Sequence, residues 1–547
     1  MTSTKWPELL YKFDTARIRD ATRLVFKGME RVGLLMGLFG AGKSQVCAVA
    51  AAATAAEMAR QVRAALRETP TVELRLDWLR SDAERRRLLA WVKRQKFGTR
   101  VTLMATCRRV SGGGRFKSGI EGEMFWLAQA REAGCAWCDV EVETLRESPD
   151  KTVSGYQMPS KVLLSVHDFK GTPALAREMK AAGHDGFTAV KIAAQANTIA
   201  DSVRLLELAR SSTNFVAVPM GEIGLPARIL ALREGSALAY APVGEATAPG
   251  QVSLHEMMHL YRAHELTRRT RVFGVIGDPV GHSLSPLLHN TGFIARNVDA
   301  VYLSFLVHRL KDFLDAVETL GIRGFSVTLP HKQTILKYLK ECDPLAAEIG
   351  AVNTVVVRGD GSLYGSNTDY VGVLGALEAK MRLRGSRVLV FGAGGVARSA
   401  AFALARAGGQ VAICARREQV GKNLARAVNG EFLGRRALRS EKFEAIINAT
   451  PVGMFPHSKI SPLSARELNC RIVMDLIYRP LDTELLKIAR KKGISTVSGL
   501  DMFLEQGFAQ WELWTGKSAP KAAMRRAVLR SLRAEEAPRG KSRGSRA

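Results

Sequence analysis

Val388-Leu-Val-Phe-Gly392-Ala393-Gly394-Gly395-Val396-Ala-Arg398-Ser399 joins an apolar run to a glycine-rich turn and then to an alanine-rich helical stretch. That order is the order of a dinucleotide-binding crossover. Arg387 to Phe391 reads as a buried parallel strand, the glycines let backbone N–H groups approach a pyrophosphate, and a helix from Val396 to Ala407 aims its positive end at that phosphate. The next strand, Gln410 to Cys414, runs into Ala415-Arg416-Arg417, where an NAD-binding unit places an acidic residue against the ribose 2′-hydroxyl. Arginine suits a 2′-phosphate, so NADP is the expected cofactor and the second half of the chain reads as a redox enzyme.

The chain has 547 residues, of which 46% are hydrophobic, enough for two or more domains with proper cores. No apolar run is long enough for a membrane span, and Met1 to Arg31 mixes charges without the apolar centre of a secretory signal. A cytoplasmic location is expected. Seven scattered cysteines fit a reducing compartment better than a disulfide framework. Cys135-Ala-Trp-Cys138 has metal-pair spacing, but it opens the strand-like Trp137-Cys-Asp-Val-Glu-Val, where residues three apart face opposite sides, and no metal site is read there. The net charge of +28 raises nucleic-acid binding as a function. Its spread over both halves argues against a dedicated site. Basic residues concentrate only after Lys517, in a tail (517–547) that reads as disordered.

Working back from the nucleotide motif, short apolar strands alternate with amphipathic helical stretches. The strands are Val46 to Val49, Val72 to Arg75, Val101 to Ala105, Trp137 to Val142, Lys161 to Ser165, Ala189 to Lys191, Phe215 to Pro219 and Ala239 to Ala241. Thr54 to Arg67, Gly122 to Ala133 and Pro173 to Ala182 carry helical periodicity between them. Eight β/α units in succession predict a closed (β/α)8 TIM barrel over 46–265. A short polar linker, 266–271, leads to a second α/β unit, divided into a substrate domain at 272–368 and a Rossmann NADP-binding domain at 369–516 with returning C-terminal helices. Residues 1–45 are expected to be a non-catalytic extension. They contain Gly37-Leu-Phe-Gly-Ala-Gly42-Lys43-Ser44, which matches a phosphate-cradling loop and raises an ATPase. Such a loop must open directly into a helix, whereas Ser44 leads into the strand-like Val46-Cys-Ala-Val.

The predicted barrel strands end in polar groups that share one mouth: Glu73, Arg75, Arg108, His167 and Lys191. A lysine on an apolar strand loses solvation, and nearby arginines disfavour its cation, so the free amine can attack a ketone while a neighbouring histidine moves protons. ELRLD at Glu73 to Asp77, TCR at Thr106 to Arg108, SVHDF at Ser165 to Phe169, VKIA at Val190 to Ala193, Pro219-Met-Gly221 and Thr247-Ala-Pro-Gly-Gln251 together resemble type I 3-dehydroquinate dehydratase. The resemblance implies that Lys191 forms an imine with the C3 ketone, that His167 is general base and then acid, and that Glu73 orients His167. It also implies substrate contacts from Arg228 (to the carboxylate), Arg75, Arg108, Thr247 and Gln251. Many relatives carry an acidic residue shortly after the TCR arginine; this chain has Ser111-Gly112-Gly113-Gly114.

In the second unit, Gly274-Val-Ile-Gly-Asp-Pro-Val-Gly-His-Ser283-Leu-Ser285 sets two hydroxyls on a loop after a strand, suited to a carboxylate. Ser326-Val-Thr328-Leu-Pro-His-Lys332, Gly350-Ala-Val-Asn353 and Ser366-Asn-Thr-Asp369 supply a lysine, an amide and an aspartate, the groups a carbonyl reduction needs. These motifs resemble shikimate dehydrogenase. By that resemblance Lys332 and Asp369 are the catalytic pair, Ser283 and Ser285 bind the carboxylate, Thr328, Asn353 and Gln506 contact ring hydroxyls, and Tyr478 lines the same cleft. The cofactor contacts are Gly392, Ala393, Gly394, Gly395, Val396, Ala415, Arg416 and Arg417, with Thr450, Met454, Gly499 and Met502 flanking the nicotinamide. The two resemblances imply consecutive steps, dehydration of 3-dehydroquinate and NADPH reduction of 3-dehydroshikimate to shikimate. An oxidative quinate or shikimate dehydrogenase is the competing enzyme reading, and nucleic-acid binding through the tail is the non-enzyme one.

Overall fold

The computed structural model describes residues 45–147, 161–172, 187–212, 214–244 and 250–536, together with Pro159. The Gly37–Ser44 loop, the Pro173 to Ala182 stretch, Thr247 and the residues beyond 536 lie outside them. The chain divides into two compact units, Met1–Arg268 and Arg269–Ala547. Among the described residues no helix is long and apolar enough to cross a membrane.

The first unit is the eight-stranded parallel barrel. Its strands are β1 (Gln45–Ala50), β2 (Thr71–Arg75), β3 (Thr102–Thr106), β4 (Trp137–Glu141), β5 (Lys161–Asp168), β6 (Ala189–Gln195), β7 (Phe215–Met220) and β8 (Leu238–Pro242). Each pairs with the next from β1 to β7, and β8 returns to pair with β1. At the β7–β8 edge Ala237 N–H donates to Phe215 O at 2.9 Å without a full ladder, so the barrel is nearly closed. Side chains two apart on a strand share a face, and this period explains how the barrel is filled. Cys47, Met104, Trp137, Leu163, Ala189, Val216 and Leu238 form an apolar floor. Two residues further along the same faces come Asp139, Ser165 and Lys191, and two further again Glu141 and His167. Val142, Leu164, Val166, Ile192 and Ala194 point outward, packed with Leu205 and Ala209 of the helix Ile199–Ser211.

The second unit holds two sheets. In the first, β9 (Arg271–Gly277), β10 (Ala300–Leu306) and β11 (Ile322–Val327) are parallel, followed by β12 (Glu341–Cys342) and an antiparallel β13 (Thr354–Val357) and β14 (Leu363–Ser366). The second is wholly parallel, in the order β17-β16-β15-β18-β19-β20, with β15 at Arg387–Phe391, β16 at Gln410–Cys414, β17 at Glu431–Phe432, β18 at Phe443–Asn448, β19 at Cys470–Asp475 and β20 at Ser495–Val497. This is a Rossmann-type sheet, and the glycine turn follows its central strand β15.

Over its described part, 517–536, the basic segment corrects the expectation of an unstructured tail. Lys521–Glu536 is a helix whose buried Met524, Val528 and Leu532 recur every four residues. They join Phe273, Leu288, Phe293, Trp511 and Trp514 in one core. The surrounding arginines and lysines hid that stripe, although an apolar face at this spacing is an amphipathic helix. Replacing Met524, fully buried beside Gly292, with alanine is expected to destabilise the second unit by about 2–5 kcal/mol in a denaturant titration. An unchanged midpoint would show that the helix contributes nothing to this core.

Candidate active sites

In the barrel the mouth is a cluster of compensated charges. Lys191 is almost wholly buried and its Nζ contacts Asp139 Oδ2 from β4, with the Tyr240 ring centroid 5.1 Å away. On the same strand, one oxygen of Glu141 lies 2.7 Å from Arg108 Nε in an ion pair, and the other lies 2.8 Å from His167 Nδ1. A neutral imidazole facing a carboxylate through Nδ1 carries its proton there, which leaves the Nε2 lone pair free to act as a base. Burial, reinforced by the Arg108 and Lys191 cations, holds the His167 pKa well below its ordinary value, so the ring is neutral at neutral pH.

The assignment of Glu73 as the residue that orients His167 is corrected by this geometry. Glu73 Oε1 instead accepts a hydrogen bond from Thr106 Oγ1 at 2.6 Å. The reason is topological: β2 pairs with β3, whereas His167 lies on β5, whose neighbour β4 carries Glu141. Arg75 is held by both oxygens of Asp77, at 2.9 and 2.8 Å. Arg228 differs from the other cations. It is buried and donates Nε–H to Pro219 O at 2.6 Å, no ion pair engages it among the described residues, and burial lowers its pKa to about 10. A buried guanidinium without a counter-ion is costly, and an incoming carboxylate removes that cost. Gln251 is half-buried at the start of the last barrel segment.

The glycine run after Arg108 packs tightly over this site. A Cβ on Gly112 would stand 3.3 Å from Glu141 Cγ, and one on Gly113 (φ +79°) would strike the Phe169 ring at 2.6 Å. Phe169 in turn stacks on His167. Gly112–Gly114 thus cover the Glu141–His167 pair, with no acid of their own. Cys135 and Cys138 are both buried free thiols, and burial pushes Cys135 up to about 12.

In the second unit Lys332 Nζ lies 2.6 Å from Asp369 Oδ2. The other Asp369 oxygen accepts from Asn353 Nδ2 at 2.8 Å, and Asn353 Oδ1 accepts from Thr368 N–H at 2.7 Å. The aspartate is fixed from two sides, and the lysine is fixed through it. Thr328 sits against the end of β9, where a Cβ on Gly277 would meet its Cγ2 at 2.4 Å. Ser283 Oγ accepts from Ser285 N–H at 3.2 Å, at the start of the helix Ser285–Ala295. Gln506 is buried on the helix Gly499–Thr515, which approaches the helix Asp369–Glu378 closely because Gly372 has no side chain: a Cβ there would meet Met502 O at 2.6 Å. Tyr478 stacks on Phe503 of the same helix, ring centroids 4.9 Å apart.

Sequence reading missed a buried relay behind these residues. Tyr302 OH, Ser326 Oγ and Gln510 Oε1 are linked at 2.6 and 2.9 Å, and Gln510 Nε2 donates to Thr354 Oγ1 at 3.1 Å. It also missed Asp139 and Glu141, for which alternating acids on an otherwise apolar strand were the available signal.

The glycine turn has room for a dinucleotide. Gly392 takes φ +128° and a Cβ there would meet Ala449 O at 2.9 Å, so the backbone itself requires it. Gly394 and Gly395 have no protein atom within 4 Å of an ideal Cβ, and the helix Gly395–Arg406 starts without a side-chain cap. Open space and uncapped N–H groups are what a pyrophosphate would use. Ala415 is half-buried beyond β16, while Arg416 and Arg417 are exposed and no ion pair engages either guanidinium among the described residues. Across the turn, Thr450 is pinned by Asn448 Oδ1 through N–H (3.0 Å) and Oγ1 (2.7 Å). Met454 is exposed, and Met502 and Gly499 are buried nearby in sequence at one helix start.

A parallel barrel with a buried lysine at its mouth, followed by a Rossmann-type unit with a lysine–aspartate pair, defines a lyase joined to an oxidoreductase. The family model of type I 3-dehydroquinase matches residues 46–268, that of the shikimate dehydrogenase substrate binding domain residues 275–355, and that of the shikimate 5′-dehydrogenase C-terminal domain residues 499–529. A chloroplastic bifunctional 3-dehydroquinate dehydratase/shikimate dehydrogenase of Arabidopsis thaliana is 34% identical over 479 residues, covering 82% of this chain and 78% of its own. A shikimate dehydrogenase (NADP(+)) of Bacillus mycoides is 42% identical over 48% of this chain and 99% of its own. A shikimate dehydrogenase solved in complex with NADP+ is 39% identical over 49% of this chain and 97% of its own, with a TM-score of 0.47. The chain belongs to the family of bifunctional 3-dehydroquinate dehydratase/shikimate dehydrogenases.

A base role for His167, whose pKa is held well below its ordinary value, predicts a dehydration rate that stays flat as the pH falls from about 7.5 to about 6.5. A pH–rate profile with its acid limb centred at or above the ordinary histidine value would contradict the geometry. Glu141→Gln should move that limb and lower dehydratase kcat while shikimate oxidation persists.

Proposed function

We propose that the barrel dehydrates 3-dehydroquinate through a covalent imine on Lys191 and that the second unit reduces the product, 3-dehydroshikimate, to shikimate with NADPH. The observation that supports it best is one buried lysine paired with a carboxylate in the mouth that also holds a neutral histidine. Asp139 takes up the proton that the Lys191 ammonium must lose before its amine attacks the ketone. Water leaves as the C=N bond forms, and the cationic imine draws electrons from the adjacent carbon. His167 Nε2 removes the proton from that carbon, and the electron pair moves toward nitrogen. The hydroxyl one carbon further on then leaves as water, taking the proton from His167. Hydrolysis of the imine releases product and restores Lys191. Arg228 pairs with the substrate carboxylate, aided by Arg75, Arg108, Gln251 and Thr247, and Glu141 keeps His167 in the right tautomer.

In the second unit Ser283 and Ser285 receive the carboxylate, and Thr328, Asn353, Gln506 and Tyr478 line the ring. Lys332 gives its proton to the carbonyl oxygen, and Asp369 fixes the ammonium in place. NADPH supplies the hydride. Gly392 to Val396 would hold its pyrophosphate, Ala415 to Arg417 its 2′-phosphate, and Thr450, Met454, Gly499 and Met502 would flank the nicotinamide. We assign 46–265 to dehydration, 272–368 to shikimate binding and the remainder of the second unit to the nucleotide. All seven cysteines are free, which supports a reducing, cytoplasmic setting.

Borohydride added with 3-dehydroquinate should attach one substrate-derived mass to Lys191, seen by peptide mass spectrometry. An unmodified lysine, or normal dehydration by Lys191→Ala, would rule out the imine. Lys332→Ala should lower reduction by about 10²–10⁴-fold and, supplied with 3-dehydroquinate and NADPH, accumulate 3-dehydroshikimate; shikimate formed at the usual rate would remove its role. Arg416→Ala should weaken NADPH by about tenfold or more while leaving NADH unchanged. Equal losses for both cofactors would overturn the 2′-phosphate assignment.

A further inference from the structure

On the outer surface of the barrel, away from the residues placed in catalysis, two histidines and a carboxylate converge. His255 precedes, and His259 lies within, a wide π-helical turn, Glu256–Leu260, in the segment after β8. Such a turn stacks residues four apart, and the two rings lie 4.5 Å apart, tilted by 46°. Glu68, in the turn that ends the helix Ala55–Ala65, reaches both: Oε1 is 3.6 Å from His255 Nδ1 and Oε2 is 3.5 Å from His259 Nε2. One ligand atom from each of the three lies within 4.8 Å of the others.

We infer that Glu68, His255 and His259 bind one divalent transition-metal ion of the zinc class. The contacts as they stand are too long to be useful hydrogen bonds, and Glu68 Oε2 is a buried oxygen without a hydrogen-bond partner. A cation supplies the missing partner. Bonds of about 2.0–2.1 Å in a tetrahedral shell set neighbouring ligand atoms about 3.3–3.4 Å apart; here one ligand atom from each residue lies within 4.8 Å of the others, so side-chain rotation of the exposed histidines closes the shell. Two imidazoles and one carboxylate select zinc, cobalt or nickel over magnesium and calcium, which prefer all-oxygen shells. Three protein ligands leave the fourth position to water. The site clips the helix after β1 to the segment after β8. Since β1 and β8 pair with each other, the ion would fasten the first barrel unit to the last.

Untagged full-length protein titrated with zinc by calorimetry, and with cobalt by visible absorption, should show one saturable site and the intense bands of tetrahedral cobalt. The barrel Tm should rise with zinc and not with magnesium. His255→Ala and His259→Ala should each weaken zinc by about tenfold or more, and the double variant should lose both the site and the Tm rise. Both side chains are largely exposed, so retained dehydratase activity will report that the variants are folded. Absence of saturable binding, or undiminished binding by the folded double variant, overturns the site; saturable binding without a rise in Tm overturns the clip.

Discussion

A lysine buried as a cation at the centre of a barrel is costly unless an opposite charge is buried with it. Lys191 is 3% exposed and Asp139 2%, and breaking such a pair by removing one partner costs about 3–5 kcal/mol. The arrangement of the mouth follows from that demand. Asp139 has to come from an inward position on β4, and the next inward position on the same strand, Glu141, then reaches Arg108 and His167. One strand therefore supplies both the counter-ion of Lys191 and the hydrogen-bond partner of His167. Arg228 is the exception, a buried cation with no acid to meet it among the described residues, and it is where the proposed substrate carboxylate would complete the balance.

The second unit solves a different electrostatic problem with the same residue types. The proposed reduction asks its lysine to deliver a proton, and Asp369, held by Asn353 on one oxygen, offers the other to Lys332. In the proposed mechanism the carboxylate here steadies the proton donor, whereas in the barrel it accepts the proton that the amine gives up. Amine against carboxylate thus carries opposite meanings in the two sites, and the surroundings decide which. His167, a neutral base, lies next to the first pair, whereas Asn353 and Thr368 surround the second.

The eight barrel strands and the Rossmann crossover were legible in the sequence because buried parallel strands are apolar runs and the turn at Gly392 needs a residue free to take positive φ. Lys191, His167, Lys332 and Asp369 stood out as candidates through local motifs at strand ends or loop starts, and the structure gives each a buried or half-buried polar partner. The illegible part depends on neighbours distant in sequence. Glu73 and Glu141 are both inward acids, and only the β4–β5 pairing says which one reaches His167. In the Tyr302–Ser326–Gln510 relay a single bond joins residues 184 positions apart, and no local pattern marks it. The helix Lys521–Glu536 was obscured for another reason: its charge was read before its period.

The core containing Phe273, Leu288 and Phe293 is completed by Phe503, Trp511, Trp514, Met524, Val528 and Leu532, residues made more than two hundred positions later. The whole nucleotide-binding sheet is synthesised in between. On the ribosome the barrel can close as soon as β8 emerges, but the shikimate-binding sheet must wait with an apolar face uncovered until the last helices arrive. Vectorial synthesis therefore orders the two activities in time as well as along the chain, and the region most in need of a chaperone during that interval is the face of the helix Ser285–Ala295 that Trp511 and Met524 will cover.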